Sequence, residues 1–539
     1  MKARDEATLL RQPAFDSREV VAGTLFYCKG AHFESRFLDE AIARGAVAYV
    51  SERRFDSAAA RSVPALIVSD IRQAMARLNA LFYRELTREL QITGITGTKG
   101  KSTTAYFLRS ILDSWARAER RPGSAILSSI KNFDGVNCEE AHMTTEENLS
   151  LYQHFANAAS AGCEQLVMEV TSQALKYGRV LGIEFDIACF MNFGPDHISA
   201  VEHSDTEDYL LAKLRIFEQC RLAVVNLASA EVRRVLDAAR AGSARRLLCF
   251  AVDRDDAPRA GANSNERPDL WASDIHRGAG GVRFTLHIAN QAQDLLGTAE
   301  SGTTSDDTSG GTASNSGASG GVGFGGSDHD RKNHAASSYP IELALSGQFN
   351  VENALAAIAC ALAAGAPLSA IREGLRTACV PGRMELFQTP DNKTVIVDYA
   401  HNLMSFETLF ASVSRDYPKR PLSVVFGCPG DKAHDRRHDL AQICARYDAD
   451  VVITEDDPGS EAVLDICNEI ATHLRAAGGH GRVIEDREQA IQSAINTAPE
   501  GAVILVAGKG RDTCQKRGHA YVPIISDVEV VMRHSVPVT

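Results

Sequence analysis

The stretch from Gly94 to Thr104, reading Gly-Ile-Thr-Gly-Thr-Lys-Gly-Lys-Ser-Thr-Thr, constrains this chain more than any other. A short β-rich run from Leu90 to Thr93 precedes it, and a helix-periodic run from Thr103 to Trp115 follows. Glycines at a strand-to-helix turn leave backbone N–H groups free, and those donors together with the helix dipole favour phosphate oxygens. Gly97, Thr98, Lys99, Gly100, Lys101, Ser102 and Thr103 form this loop; Lys101 supplies a charge for the β- and γ-phosphates and Ser102 a hydroxyl for Mg²⁺. The usual pattern has glycine at position 95, where this chain has Ile95, so glycines 94, 97 and 100 are expected to make the tight turn. The loop reads as that of an ATP-dependent enzyme. The alternative, a turn that only caps a helix, fits the strand before and the helix after less well.

A chain of 539 residues exceeds one core, and roughly three or four domains are expected. Hydrophobic content of 44% and charged content of 23% are ordinary for a globular chain. The net charge of −12 offers no basic field to a nucleic-acid backbone, so no nucleic-acid partner is expected. Twelve scattered cysteines without a C-x-x-C pair suggest neither a zinc ribbon nor a disulfide framework, and fit a reducing cytoplasm. No apolar leader follows Met1, and no run reaches the length of a membrane span, so no membrane insertion is expected. The Ala-rich run from Ala354 to Ala366 reads as a buried helix.

The pattern along the chain is α/β throughout. Residues 1–90 alternate β-like runs (Gly23 to Cys28, Ala46 to Val50, Ala65 to Val68) with helical stretches, predicting a small α/β domain. Residues 91–378 continue the alternation with apolar runs at 165–170, 185–191 and 222–226, which suit central parallel strands covered on both faces. Within this unit, 298–338 is rich in Gly, Ser, Thr, Asp and Asn. It is expected to be a disordered insert lengthening a hairpin between strands at 281–288 and 341–345. Residues 379–539 form a third unit with strands at 393–397, 422–426, 450–453 and 501–506, predicting a doubly wound, Rossmann-like sheet. Its polar clusters fall after strand ends, at Asp398 to His401, Gly427 to Arg437, Glu455 to Pro458 and Gly508 to Asp512.

Beside the phosphate loop, Glu169 closes one predicted strand, while Asn192, Asp196 and His197 follow the next. A carboxylate and an imidazole at adjacent strand ends are suitable ligands for a second Mg²⁺, a site usually completed by oxygen donors and water.

Taken in order, several motifs resemble the Mur ligases, and among them the MurE type, which adds a diamino acid. They are the phosphate loop, Met168 to Leu175, Asn192 to His197, Ala212-Lys213, Gly347 to Asn353, Pro381 to Glu385 and Asp398 to His401. The resemblance implies that a small N-terminal domain binds the UDP moiety and a central P-loop domain binds ATP. The C-terminal domain would hold the incoming amino acid. ATP would phosphorylate the γ-carboxylate of the D-Glu residue in UDP-N-acetylmuramoyl-L-alanyl-D-glutamate, and an amine would displace the phosphate. Lys101 and two Mg²⁺ would neutralise the developing charge.

The same resemblance assigns the catalytic set Lys101, Glu169, His197 and Lys213. Ser102, Glu169, His197 and a carbamate on Lys213 would hold metal. Asn353 and Arg383 would lie around the adenine and phosphates, and Asp398 at the ribose. Ser17, within Asp16-Ser17-Arg18, matches the uridine site, and Thr144, Thr145, Thr171, Ser172 and Arg179 match muramyl-peptide contacts. The nucleotide would sit between two domains, so closure would precede chemistry. A monomer is expected.

The amino acid added is read from a departure. Diaminopimelate-adding members carry Asp-Asn-Pro-Arg, whose arginine pairs the far carboxylate; this chain has Asp456-Asp457-Pro458-Gly459. Losing such a pairing discriminates by ~10⁴-fold or more, which argues against diaminopimelate. Asp456, Asp457 and Asp512 would favour a bare ammonium end, as in L-lysine, with Arg437 taking the α-carboxylate. L-Ornithine, one methylene shorter, stays open, and so does meso-diaminopimelate as the disfavoured case. Other readings are a folylpolyglutamate synthase, disfavoured by Thr144-Thr145, and a MurT-type enzyme, whose cysteine-rich insert is lacking. A motor-type ATPase and a non-catalytic UDP-muramyl-peptide binder complete the alternatives; the binder would be expected to have lost Lys101, Glu169, His197 or Lys213.

Overall fold

The computed structural model describes residues 10–30, 33–141, 143–194, 202–252, 266–278, 281–296, 336–347, 349–518 and 520–538. Three large sheets organise them, beside a two-stranded antiparallel pair, Cys514–Arg517 and Ala520–Pro523. In the N-terminal part, four parallel strands, Gln12–Ala14, Thr24–Tyr27, Ala46–Ser51 and Ala65–Ile67, lie side by side in chain order.

The central sheet has eleven strands, and a strand next to its middle one carries the phosphate loop. Gln91–Thr96 lies between Gln165–Glu169 and Phe185–Phe190, parallel to both. One flank continues in parallel through Cys220–Asn226, Arg246–Val252 and Leu270–Gly278, and then turns antiparallel with Gly281–Ala289 and Ala336–Leu343. The other flank adds Ala125–Leu127 in parallel and a short antiparallel pair, Lys131–Phe133 and Cys138–Glu140. Phe185–Phe190 shows why these strands are apolar runs rather than alternations. Ile187 and Cys189 enter the core on one face, and Phe185, Ala188 and Phe190 enter the core on the other. Helix Phe349–Ala363 packs on the first face and is buried nearly all round, as its unbroken apolar composition requires.

The C-terminal sheet has seven strands, ordered His480–Val483, Asp450–Ile453, Leu422–Phe426, Val503–Ala507, Thr394–Asp398, Glu385–Gln388 and Val536–Pro537, the first five parallel. The connection from Thr394–Asp398 to Leu422–Phe426 skips over Val503–Ala507, which opens a crevice at the carboxyl ends where the predicted polar clusters fall.

Three expectations change in detail. Strand Gln91–Thr96 runs through Gly94, which pairs with Ala188, so Gly94 takes no part in the turn. It is glycine for closeness: a Cβ there would meet the Phe185 ring at 2.7 Å. The helix after the loop spans Lys101–Ala118, longer at both ends than its apolar period suggested. The hairpin around the insert exists, with Gly281–Ala289 antiparallel to Ala336–Leu343, but residues 336–338 belong to the strand. The expected disorder of the rest of the insert falls on residues outside the described ones. Among the described residues, no helix is long and apolar enough to cross a membrane.

Candidate active site

The phosphate loop is shaped by two glycines. Gly97 has φ +156° and Gly100 φ +83°, the latter as the left-handed residue that opens helix Lys101–Ala118. A Cβ on Gly100 would come within 2.3 Å of Asn353 Oδ1, and one on Gly97 within 2.7 Å of Met191 Cβ. The loop is thus pressed between a strand end and helix Phe349–Ala363, and the nucleotide candidate Asn353 lies against it. Asn192 clamps it in register: its side chain accepts from Lys99 N at 2.8 Å and donates to Lys99 O at 3.1 Å. Thr98 N donates to the Asn192 carbonyl, and Thr98 Oγ1 lies 3.2 Å from the Tyr209 hydroxyl. Thr103 is buried under the loop in the first turn.

Both candidate lysines converge on one carbonyl. Lys101 Nζ and Lys213 Nζ each donate to Gly97 O at 2.9 Å. Lys213 is 1% exposed and stands 4.6 Å from the centre of the Tyr209 ring. Ser102 Oγ is 3.0 Å from Ser129 Oγ, and Ser129 donates to Glu169 Oε1 from its backbone at 2.9 Å and its hydroxyl at 3.2 Å. Ser129 is the bridge that the sequence did not expose: it sits in a plain Ser-Ser turn after Ala125–Leu127, with no motif to flag it. A serine hydroxyl and a carboxylate joined this way are hard oxygen donors that suit Mg²⁺. Lys213 as an ammonium is no ligand; it fits the set only as a carbamate. Asp196 and His197 lie outside the described residues, and among the described ones no group of three or more His, Cys, Asp or Glu side chains gathers for a metal.

The peptide-end candidates cluster at the junction of the N-terminal and central parts. Thr145 Oγ1 donates to Glu169 O at 3.0 Å and accepts from Thr171 N at 3.0 Å; Thr171 caps helix Ser172–Lys176. Arg179 donates to Thr145 O at 3.3 Å and pairs with Glu147 at 3.2 Å. Lys29, from the N-terminal part, also pairs with Glu147. Burial alone would raise the Glu147 carboxyl, but these two cations outweigh it and hold the carboxyl below its ordinary value. Lys29, Arg72, Glu147, Asn148, Tyr177 and Arg179 line a cavity of about 170 Å³ here. Thr144 is half-buried, next in the chain to Thr145. Ser17 is buried in the N-terminal part, its hydroxyl donating to Glu40 at 3.1 Å.

Across the cleft, the C-terminal loops bring a second set together. Both Asp398 oxygens accept backbone N–H groups, from Met384 at 2.9 Å and Ala400 at 2.8 Å, while burial raises its carboxyl. Arg383 lies 4.8 Å from the Tyr399 ring centre. Burial, with Arg436, Arg383 and Lys99 nearby, pushes His401 down to about 3, so it is neutral at ordinary pH. Lys99 belongs to the phosphate loop, so this unit faces the nucleotide end of the central one.

The acidic set forms, with one addition. Lys509, 2% exposed, puts its ammonium 3.0 Å from Asp457, 3.8 Å from Asp456 and 3.6 Å from Asp512. The three aspartates expected to receive an ammonium therefore already surround one of the chain's own. Asp512 also accepts from the Tyr399 hydroxyl at 3.2 Å, and burial, with Asp456 and Asp457 close by, raises its carboxyl to about 6.

Arg437, the candidate for the α-carboxylate, is engaged by two glutamates. It is 3% exposed, and from within helix Asp435–Arg446 its terminal nitrogens pair with Glu461 at 2.8 Å and Glu469 at 2.5 Å, while its Nε is buried with no hydrogen-bond partner among the described residues. A helix turns 100° per residue, so adjacent arginines face apart. Arg436 is the half-buried one that acts on His401 and Cys428, and it makes no ion pair among the described residues.

A phosphate loop at the carboxyl edge of one parallel sheet, faced by the ligand loops of another, defines a three-unit α/β nucleotide enzyme. Residues 95–297 match the Mur ligase middle domain, and 382–510 match the Mur ligase, glutamate ligase domain. The chain is 32% identical to a UDP-N-acetylmuramyl-tripeptide synthetase of Lactobacillus delbrueckii subsp. bulgaricus, over 97% of this chain and 93% of that protein. It is also 32% identical to a UDP-N-acetylmuramoyl-L-alanyl-D-glutamate--L-lysine ligase of Streptococcus thermophilus, over 97% and 92%. A solved UDP-N-acetylmuramoyl-L-alanyl-D-glutamate--2,6-diaminopimelate ligase shares the fold, with TM-score 0.62 and 24% identity over 97% and 94%. The chain belongs to the Mur ligase family.

Proposed function

We propose that this chain is an ATP-dependent amide ligase that joins L-lysine to UDP-N-acetylmuramoyl-L-alanyl-D-glutamate through an acyl phosphate. The three units, 1–90, 91–378 and 379–539, hold the UDP-peptide, ATP and the amino acid. The observation that carries the lysine reading is at Gly459. Its φ is +59°, and a Cβ there would meet Asp431 Oδ2 at 2.1 Å, so the loop is built without a side chain where diaminopimelate-adding members carry arginine. The far end of the substrate meets carboxylates instead, and a bare ammonium suits them.

In this reading the loop N–H groups and Lys101 grip the ATP phosphates, and Lys101 leaves the Gly97 carbonyl to do so. Ser102 and Glu169 would hold Mg²⁺, joined by His197 and a carbamate on Lys213; the ion supplies charge neutralisation at the phosphate oxygens. Asn353, Arg383 and Asp398 position the nucleoside. Ser17 serves the uridine end, and Thr144, Thr145, Thr171, Ser172 and Arg179 hold the peptide. Asp456, Asp457 and Asp512 share Lys509 and leave excess negative charge for the substrate ammonium, while Arg436 takes the α-carboxylate in preference to the glutamate-paired Arg437. Phosphate leaves the activated carboxyl far more readily than hydroxide would, so two easier steps replace one hard acyl transfer. A cytoplasmic monomer completes the reading. The test is phosphate release that requires both the UDP-peptide and the amino acid; ATP hydrolysis independent of them would count against it.

A further inference from the structure

Three side chains outside the metal candidates form a continuous hydrogen-bonded line. Ser172 Oγ lies 2.9 Å from His203 Nε2, and His203 Nδ1 lies 3.2 Å from Asp208 Oδ2. His203 is fully buried and Ser172 5% exposed. Asp208 is fixed by Lys176 Nζ at 2.6 Å and by Ser204 N at 3.1 Å. The ring of His203 packs 5.1 Å from that of Tyr209, whose hydroxyl reaches Thr98 in the phosphate loop. The line thus ends at Ser172, three residues beyond Glu169, on the first turn of helix Ser172–Lys176.

The order of donors is set by Asp208. A carboxylate beside Nδ1 draws the imidazole proton to that nitrogen, which leaves Nε2 as an acceptor for the Ser172 hydroxyl. Burial lowers the His203 pKa; Asp208 opposes this, and the Lys176 and Lys213 charges add to it. The ring is therefore neutral at ordinary pH. With its proton directed at His203, Ser172 Oγ turns lone pairs outward and can accept from an N–H.

We propose that Ser172, His203 and Asp208 are the proton path for the attacking amine in the second half of the reaction. The inference rests on the ligase reading above. The amine nitrogen bonds to the γ-carbonyl carbon of the acyl phosphate, and the carbon–oxygen bond to phosphate breaks with its electron pair leaving on phosphate. The one proton that nitrogen loses in becoming an amide passes to Ser172 Oγ as the Ser172 proton passes to His203 Nε2. The imidazolium so formed is paired with Asp208, and the proton later returns to water. His203 acts through Ser172 and is a positioning residue and proton acceptor; Lys213 and Glu169 need play no part in this transfer.

The test compares two amines on His203→Gln and Asp208→Asn. Hydroxylamine is a weakly basic nucleophile whose adduct gives up its proton to water unaided, so it bypasses the path while using the same acyl phosphate. Lysine-dependent turnover should fall about 10²-fold in His203→Gln, whereas hydroxamate formation should stay within about threefold of wild type. Asp208→Asn, on the accessible side of the line, should lower the lysine-to-hydroxylamine ratio in the same direction, and it keeps the question open to experiment if His203→Gln does not fold. Equal losses with both amines would make the line merely structural and overturn the proposal, as would lysine turnover unchanged in Asp208→Asn. A wild-type enzyme that releases no phosphate with either amine would instead overturn the ligase reading and this proposal with it.

Discussion

Asp431 Oδ2 lies where a side chain at position 459 would begin, 2.1 Å from an ideal Cβ on Gly459. Asp431 is held there by Ser460 N, which donates to the same oxygen at 2.8 Å. An arginine at 459 would have to displace the Asp431 carboxylate and adopt the left-handed backbone that Gly459 holds, with φ +59°.

Gly459→Arg should therefore fail to create a diaminopimelate enzyme. A non-glycine residue in the left-handed region costs about 1–2 kcal/mol, before the clash with Asp431 is counted. The variant should be less stable in denaturant melts and show weaker lysine use with no gain for meso-diaminopimelate. Efficient turnover of diaminopimelate by the single variant would show that the backbone conformation does not set specificity.

Lys509→Met should expose the cost of leaving Asp456, Asp457 and Asp512 without a counter-ion. Removing one partner of a buried pair destabilises by about 3–5 kcal/mol. Added L-lysine should then raise the melting temperature of the variant more than that of wild type, because the substrate ammonium meets the unpaired carboxylates. Equal shifts would place the substrate ammonium elsewhere.

With Asp512 at the substrate ammonium, as proposed, lysine binding should depend on pH. Its carboxyl is raised to about 6, chiefly by burial. In the free protein this means that Asp512's contribution to stability is largest below the unfolded value and declines as pH rises through 6. Binding a cationic amine favours the ionised form, so the KM for lysine should rise as pH falls below 6 with kcat changing less. Asp512→Asn should flatten that part of the KM profile; a profile unchanged by the substitution would remove Asp512 from the site.

Arg436 and Arg437 should separate cleanly. Arg437→Met breaks a buried pair with Glu461 and Glu469 and should lower stability while leaving the KM for lysine of the folded fraction near wild type. Arg436→Ala should leave the melting temperature nearly unchanged and raise that KM about tenfold or more. The opposite pattern would return the α-carboxylate to Arg437.

Much of this was legible in the residues, for identifiable reasons. Continuous apolar runs announced the central strands because both faces of those sheets are covered, and the ligand loops followed from the strand ends. In sequence Gly94 reads as a turn residue, because a glycine needed for closeness to Phe185 looks the same as one needed for a positive φ. Arg436 and Arg437 are adjacent, and only the helix shows that Arg437 is the one that meets glutamates. Ser129 and the Lys509 contacts are tertiary, between residues 40 and 52 to 53 positions apart for the first two aspartates, and carry no local pattern. The resemblance to a family of ligases implies roles; the geometry adds the partners each side chain has in the folded chain.

The most direct test of the central claim is phosphate release from ATP with UDP-N-acetylmuramoyl-L-alanyl-D-glutamate present, comparing L-lysine, L-ornithine and meso-diaminopimelate at equal concentration. The account predicts turnover with lysine, dependent on both the UDP-peptide and the amine, and little with diaminopimelate. Turnover with diaminopimelate alone would contradict the reading of Gly459, and phosphate release indifferent to every amine would contradict the ligase itself.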